Sequence, residues 1–272
     1  MEVWLGAPLI DRSLYPTALT PEGRVFRETA GEVLRILENA RADASKTGRV
    51  SRQVVNIAAL HSLALSFIPK WLRDIEQKFG EPLPTNVLAD SYHNCIQALM
   101  EGSSDFLFTF HHDAVSVGFD SERFPNVSLG RDRFLLVSGC GSSGPLFPLV
   151  STGDELPLLA YSRDSFLGRL SAYASEREGL QLFDKHINDN ALAEALKAMA
   201  LEGHGVAWLP ESIIVHELQT GTLAPLGPEA IMEIRLYRSQ DKTRRVVEEL
   251  WAHLNPQPPS MHDRNNGDRI DI

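Results

Sequence analysis

Three observations in this 272-residue sequence predict an α/β fold of two similar lobes behind a long polar helix. Short apolar runs alternate with helical periods over 54–110, reading strand, helix, strand, helix, strand. A second alternation of the same kind runs from 158 to 219. A further strand over 231–237 and a closing helix then bring the chain back to its first lobe. Alternating strands and helices imply parallel strands joined by right-handed crossovers.

The elements follow in order. Thr20-Pro21-Glu22 starts a helix: Thr20 caps, Pro21 suits the first turn, and Glu22 favours the positive end of the dipole. Phe26, Ala30, Val33, Leu37, Ala40 and Ala44 then alternate four and three apart, which is a heptad seam in a segment with few other apolar residues. The seam suits either a helix packed on its own domain or a dimerising helix; the second is preferred, with the helix ending near Gly48. Val54–Leu60 is the first strand. The next helix has Leu65, Ile68, Leu72, Ile75 and Phe79 on one face, starts at Ser66 or Phe67 because Pro69 belongs in a first turn, and stops at Gly80. Thr85–Ala89, His93–Glu101 and Asp105–Phe110 complete the first lobe. Arg133–Ser138 is a strand, and the Gly, Ser and Pro residues of Gly139–Pro148 are expected to form a crossing loop. The second lobe takes strands Leu158–Tyr161, Leu182–Asn188 and Val206–Leu209. Its helices are Ser165–Ser175, Ala191–Glu202 (capped by Asp189 or Asn190) and Glu211–Gln219. Ile231–Tyr237 crosses back, and Thr243–Leu254 is the last helix. Residues 255–272 are polar and proline-rich and are expected to be disordered.

Bulk properties exclude several functions. A net charge of −10 argues against strong nucleic-acid binding by these residues alone. No apolar run has membrane-spanning length and no signal segment follows Met1, so the chain reads as cytoplasmic, with no membrane partner. Cys95 and Cys140 make neither a disulfide framework nor a zinc site, though a redox pair stays open.

Motifs for catalysis are missing. There is no H-E-x-x-H, P-loop or G-x-S-x-G, so no catalytic residue, cofactor or metal is expected and the chain does not read as an enzyme. Gly139-Cys-Gly141-Ser-Ser-Gly144 fits G-x-G-x-x-G, but Pro145 and Pro148 follow where a dinucleotide site needs a helix. His111-His112-Asp113 ends the third strand, where open sheets bind ligands. Adjacent residues on a strand face opposite ways, so one histidine at most meets a cleft, as a ligand contact or a plain loop residue. Ser62 lies between a strand and a helix start, where a hydroxyl and free backbone N–H groups suit an anion or polar molecule. Tyr161-Ser162 and Ser165 hold the matching place in the second lobe. Plain capping explains either serine alone; the pairing across two lobes favours a site. Met100, Met199 and Met232 fit core packing, with oxidation of a packed methionine as an alternative switch.

Residues 3–23 resemble the wing and linker entry of a LysR-type transcriptional regulator, through Leu5-Gly6, Leu9-Ile10, Arg12, Leu19-Thr20 and Gly23. Gly203-His-Gly205-Val-Ala-Trp208-Leu-Pro210-Glu resembles a second segment of that family. Ala58–Leu63 with Pro69, Glu101–Phe106, Tyr161-Ser162 with Gly168-Arg169-Leu170, and Gly205–Glu211 resemble its hypochlorite-responsive branch. The resemblance covers roughly 3–254. It implies a linker helix followed by a two-subdomain, periplasmic-binding-protein-like (type 2) effector domain. Residues 1–19 would be a winged helix-turn-helix remnant and 20–48 the dimerisation helix. Residues 52–138 plus 233–254 would form subdomain I, 139–232 subdomain II, and 255–272 the tail. It also implies a small-molecule effector or oxidant between the subdomains, held by Ser62, His111, Tyr161, Ser162, Asn188 and Trp208. Trp208, taken by itself, suits the core better. Homodimers or homotetramers are implied, with DNA contacted only through a reading head largely absent from these residues. A stand-alone solute-binding protein, or a truncated partner that poisons full-length relatives, remain alternatives.

Overall fold

A computed structural model describes residues 1–11, 18–27, 29–31, 33, 54–80, 82–115, 122–151, 153–188, 192–240 and 244–254. The chain divides into two compact units, Met1–Arg52 and Gln53–Ile272.

In the first unit a short helix, Glu2–Leu5, precedes strands Ile10–Asp11 and Ala18–Leu19, which pair antiparallel. Thr20 caps as expected: its Oγ accepts from Gly23 N at 2.9 Å. Positions 21–27, 29–31 and 33 are helical. Along the expected seam Phe26 and Ala30 are half-buried and Val33 is 51% exposed. Leu37, Ala40 and Ala44 lie outside the described residues, as do the helix end at Gly48 and the tail.

The second unit is built on one nine-stranded sheet. Its first lobe runs β1 (Val55–Leu60), α1 (His61–Ser66), α2 (Ile68–Phe79), β2 (Thr85–Asp90), α3 (Tyr92–Met100) and β3 (Phe106–His111). β1 lies between β2 and β3, parallel to both. Five of its six residues are buried, as a strand covered on both faces requires. Two helices replace the single one expected after β1. Helix starts directly at His61, is interrupted at Phe67, and restarts with Pro69 in the first turn of α2, where its missing N–H costs nothing. Ile68, Trp71 and Ile75 form the buried face of α2.

Two 16-residue strands, β4 (Asn126–Gly141) and, near the end of the chain, β9 (Leu223–Arg238), carry the sheet from one lobe to the other. They pair antiparallel, from Tyr237↔Asn126 to Leu223↔Gly139, with register shifts at Pro225/Glu229 and Ile234/Arg235. Both exceed the expected strands. The loop expected over Gly139–Pro148 is also corrected: Gly139–Gly141 stay in β4 and turn back onto β5 (Gly144–Pro145). Gly139 is needed there for close approach, since a Cβ would lie 2.3 Å from the Ala200 carbonyl oxygen. The glycine motif is thus a hairpin, with no helix behind it to receive a pyrophosphate.

The second lobe runs β6 (Glu155–Tyr161), α4 (Phe166–Arg177), β7 (Gln181–Asn188), α5 (Ala193–Leu201) and β8 (Val206–Pro210). A 3-10 turn (Glu211–Ile213) and α6 (Val215–Thr220) follow, where one helix was expected. β8 pairs antiparallel with β4 and parallel with β6, and β7 is the outer strand. The cap of α5 is Leu192, without a side-chain bond; Asp189 and Asn190 lie outside the described residues. After β9, α7 (Arg245–Leu254) covers the first lobe, with Trp251 stacked on Phe106.

Candidate effector site between the two lobes

The carboxyl ends of β1 and β2 lead straight into helix starts, His61-Ser62 and Ser91-Tyr92. In the second lobe, β6 ends at Tyr161 and the chain reaches the start of α4 through Ser162 and Ser165. Ser91 caps α3, accepting from Asn94 N at 3.3 Å, and Ser165 caps α4, accepting from Gly168 N at 3.0 Å. These segments meet around a small cavity of about 20 Å³, lined by Leu60, His61, Ser62, Asp90, Ser91, Tyr92, Ser165, Phe166 and Leu167. That space suits one water or a monatomic ion.

Aromatic packing across the two lobes borders the cavity. Phe166 of the second lobe sits 6.0 Å from the Tyr92 ring and 6.2 Å from the Phe110 ring of the first. The Arg169 guanidinium lies over the Tyr92 ring at 5.4 Å, bringing positive charge to this boundary. Burial pushes the Tyr92 hydroxyl up to about 12, against the opposing Arg169 charge.

Ser62 is 4% exposed and stands on the cavity wall. Its carbonyl accepts from Ser66 Oγ at 2.7 Å, while among the described residues its hydroxyl has no hydrogen-bond partner. The other expected site residues lie elsewhere. His111 ends β3 with Nε2 3.4 Å from Asp113 Oδ1, outside the lining of this cavity. Ser162 is half-buried, and its hydroxyl donates to Asp164. Tyr161 is buried, donates to the Trp208 carbonyl at 2.7 Å, and lines a different cavity of about 460 Å³ between α4 and the strands β6 and β7. Asn188 pairs with Tyr161 in the sheet; its side chain lies outside the described residues. Trp208 is a core residue lining neither cavity: it is fully buried, stacks on Phe134 at 5.5 Å, and donates from Nε1 to Ser175 Oγ at 2.9 Å.

Sequence reasoning missed Tyr92, Phe166 and Arg169. A signal for Tyr92 existed, because Asp90-Ser91-Tyr92 follows its strand as His61-Ser62 follows β1. Phe166 and Arg169 read as ordinary helix residues, and only the facing of the lobes reveals them.

Among the described residues no group of three or more His, Cys, Asp or Glu side chains is placed to hold a metal, and no helix is long and apolar enough to cross a membrane. Cys95 and Cys140 are free. Burial, helped by the Asp90 charge, pushes the Cys95 thiol up to about 12, which keeps it protonated and a poor nucleophile.

Two α/β lobes sharing one sheet, with helix starts from both lobes around a small cavity, define an effector-sensing domain. The profile of the LysR substrate binding domain matches residues 48–258, and the chain belongs to the LysR family. It is 30% identical over 259 residues to the HTH-type transcriptional regulator YjiE of Escherichia coli K12, covering 93% of this chain and 82% of YjiE. It is also 30% identical over 244 residues to the HTH domain-truncated transcriptional regulator QseD of Escherichia coli O157:H7, covering 88% of this chain and 96% of QseD. Among solved structures, the bromide-bound regulatory domain of HypT from Salmonella typhimurium matches with 28% identity and a TM-score of 0.61, covering 76% of this chain and 96% of that one. These matches are to transcriptional regulators rather than enzymes.

Proposed function

We propose that this chain senses a small anion or an oxidant in the cavity between the lobes, and that the helix over 20–48 joins copies into dimers or tetramers. The carrying observation is the cavity itself. Helix starts from both lobes bound it, and the hydroxyl of Ser62 on its wall has no partner among the described residues. Helix starts present unpaired N–H groups and favour negative charge. The bromide in the HypT regulatory domain supports an ion of that size, and the 28% identity to full-length HypT of Salmonella typhimurium, a hypochlorite-specific LysR-type regulator, supports an oxidant signal. A ligand there would act by binding one arrangement of the lobes better than another, since equal affinity for both shifts nothing. Transcriptional control would pass to DNA through a helix-turn-helix reading head, in the cytoplasm, with no cofactor involved. His111, Tyr161, Ser162 and Asn188 stand beyond this cavity, as residues that a larger effector would reach from the same strand ends.

The test is a titration of the full chain with sodium bromide at constant ionic strength, followed by the thermal midpoint. Saturable stabilisation is expected for the native chain, weakened at least tenfold in Ser62→Ala. An unchanged bromide response in Ser62→Ala would remove the cavity from the reading.

A further inference from the structure

α4 turns a row of small residues toward the sheet. Gly168, Ser171, Ala172 and Ser175, three and four apart, share one face of the helix and line the cavity of about 460 Å³ over β6 and β7. A helix that only covered strands would carry large apolar side chains there, as α4 does at the buried Phe166, Leu167 and Leu170. The space left is of the size that takes a small organic molecule, about 300–1,000 Å³. Exposed Arg163, Ala172 and Asp184 on its wall leave it reachable from solvent.

The lining is apolar at one end and cationic at the other. Leu158, Leu180 and Leu182 lie toward the end of α4. Arg163 and Arg169 stand beyond the carboxyl end of β6, where open α/β sheets bind their ligands. Arg163 engages Asp184 at 3.2 Å, but its side chain is exposed; such a pair is weak and leaves most of the five guanidinium N–H donors for another acceptor. Asp164, the other carboxylate nearby, accepts from Ser162 and lies outside the lining. Two hydroxyls stand on the same wall. Ser171 is 5% exposed, and among the described residues its hydroxyl has no hydrogen-bond partner. Ser175 Oγ accepts from Trp208 Nε1 at 2.9 Å, which leaves its own O–H to donate.

We propose that this cavity is a second ligand site, for a small organic carboxylate with an apolar chain. The carboxylate takes charge-assisted N–H bonds from the two guanidinium groups and a hydroxyl bond from Ser171. The chain covers the three leucines and removes them from water. An organic cation would meet two arginines instead, and a carboxylate without a chain would leave the apolar end wet. The site lies within the second lobe and does not rest on the reading of the cavity between the lobes. The two share α4, whose first turn borders that cavity through Ser165, Phe166 and Leu167.

The test is isothermal titration calorimetry of the full chain with sodium hexanoate at fixed ionic strength. Saturable binding at one site per chain is expected. Pentanoate and butanoate should bind about fourfold more weakly for each methylene lost, the worth of a buried methylene. Acetate and hexylammonium are expected not to bind. Arg163→Gln changes an exposed side chain and leaves the fold alone, and Ser171→Leu fills the cavity; each should weaken hexanoate at least tenfold. The bromide response should persist in Arg163→Gln, and bromide should not compete with hexanoate. No saturable hexanoate binding, native affinity in either variant, an affinity that ignores chain length, or competition with bromide would overturn the proposal.

Discussion

Asp132 shows how one buried side chain can tie the lobes together. It lies on β4 opposite Met232 of β9, within the stretch where both long strands pass between lobes. Its carboxylate accepts from Ser212 N at 3.2 Å and from Ser212 Oγ at 2.7 Å. Ser212 Oγ lies in turn 3.1 Å from Ser66 Oγ, at the end of α1. The Asp132–Ser212 hydrogen bonds and the Ser212–Ser66 contact thus bring the crossing strand, the second lobe and the first together at one place. Burial raises the Asp132 carboxyl, with the Ser212 bonds opposing. The sign follows from linkage. A folded value above the unfolded one means the folded state holds the proton more tightly, so stability is lost as pH rises from the ordinary aspartate value, about 3.9, through the raised one. Asp132→Asn keeps an acceptor for Ser212 and removes the titration. Denaturant melts between pH 4 and pH 7 are therefore expected to show the native chain losing stability relative to Asp132→Asn as pH rises. Parallel curves for the two proteins would show that Asp132 does not titrate differently on folding.

At the scale of elements, α4 sets the wall of the cavity, and its first turn leaves no spare room. Gly168 donates to Ser165 Oγ, and a Cβ there would lie 2.1 Å from the Ser162 carbonyl oxygen, a backbone atom that cannot swing aside. Gly168→Ala must push the start of α4 away from the loop after β6, and overpacking of this kind costs about 1–3 kcal/mol. The displacement moves Phe166, which is packed between Tyr92 and Phe110. Chemical denaturation is expected to show that loss of stability together with a weakened bromide response; a native bromide response in the variant would mean that α4 does not position the site.

The same elements show what a sequence reveals and what it hides. β1 and β3 are near-continuous apolar runs between helix signals, the pattern of strands covered on both faces, and they are legible by inspection. β4 and β9 were legible only in part. Asn126–Arg131 and Leu223–Ala230 carry polar residues, glycines and prolines, and they are strands because they pair with each other over a long register. Pro225 and Pro228 fall beside the register shift, where a missing donor is tolerated. Ser62 and Ser165 were legible from their place between strand and helix. Phe166 and Arg169 were hidden for a different reason. Each looks ordinary on its own helix, and its meaning comes from contact across the lobes.

For the whole molecule, the remaining question is how the chain assembles, and the first unit carries the argument. Val33 is 51% exposed, with Phe26 and Ala30 half-buried beside it at heptad spacing. An apolar seam on a charged helix is stabilised by a second copy, at about 1.5–3 kcal/mol for each large side chain fully covered. Charge works the other way. At −10 per chain, two copies repel, and salt screens that repulsion beyond a Debye length of about 8 Å at physiological ionic strength. Association driven by the seam should therefore strengthen as salt rises, whereas association driven by ion pairs between copies would weaken. Sedimentation velocity of the full chain is expected to show a dimer or larger species whose share grows with sodium chloride. In Phe26→Asp/Val33→Asp the seam would have to bury charge, so that species should fall to monomer while the thermal midpoint of the α/β unit stays within a degree or two, because neither residue belongs to it. An unchanged oligomer in the double variant would move the assembly surface from this helix to the α/β unit. The coupling between the cavity and any DNA-reading head would then have to run through contacts between sheet edges or helix faces instead of through the linker.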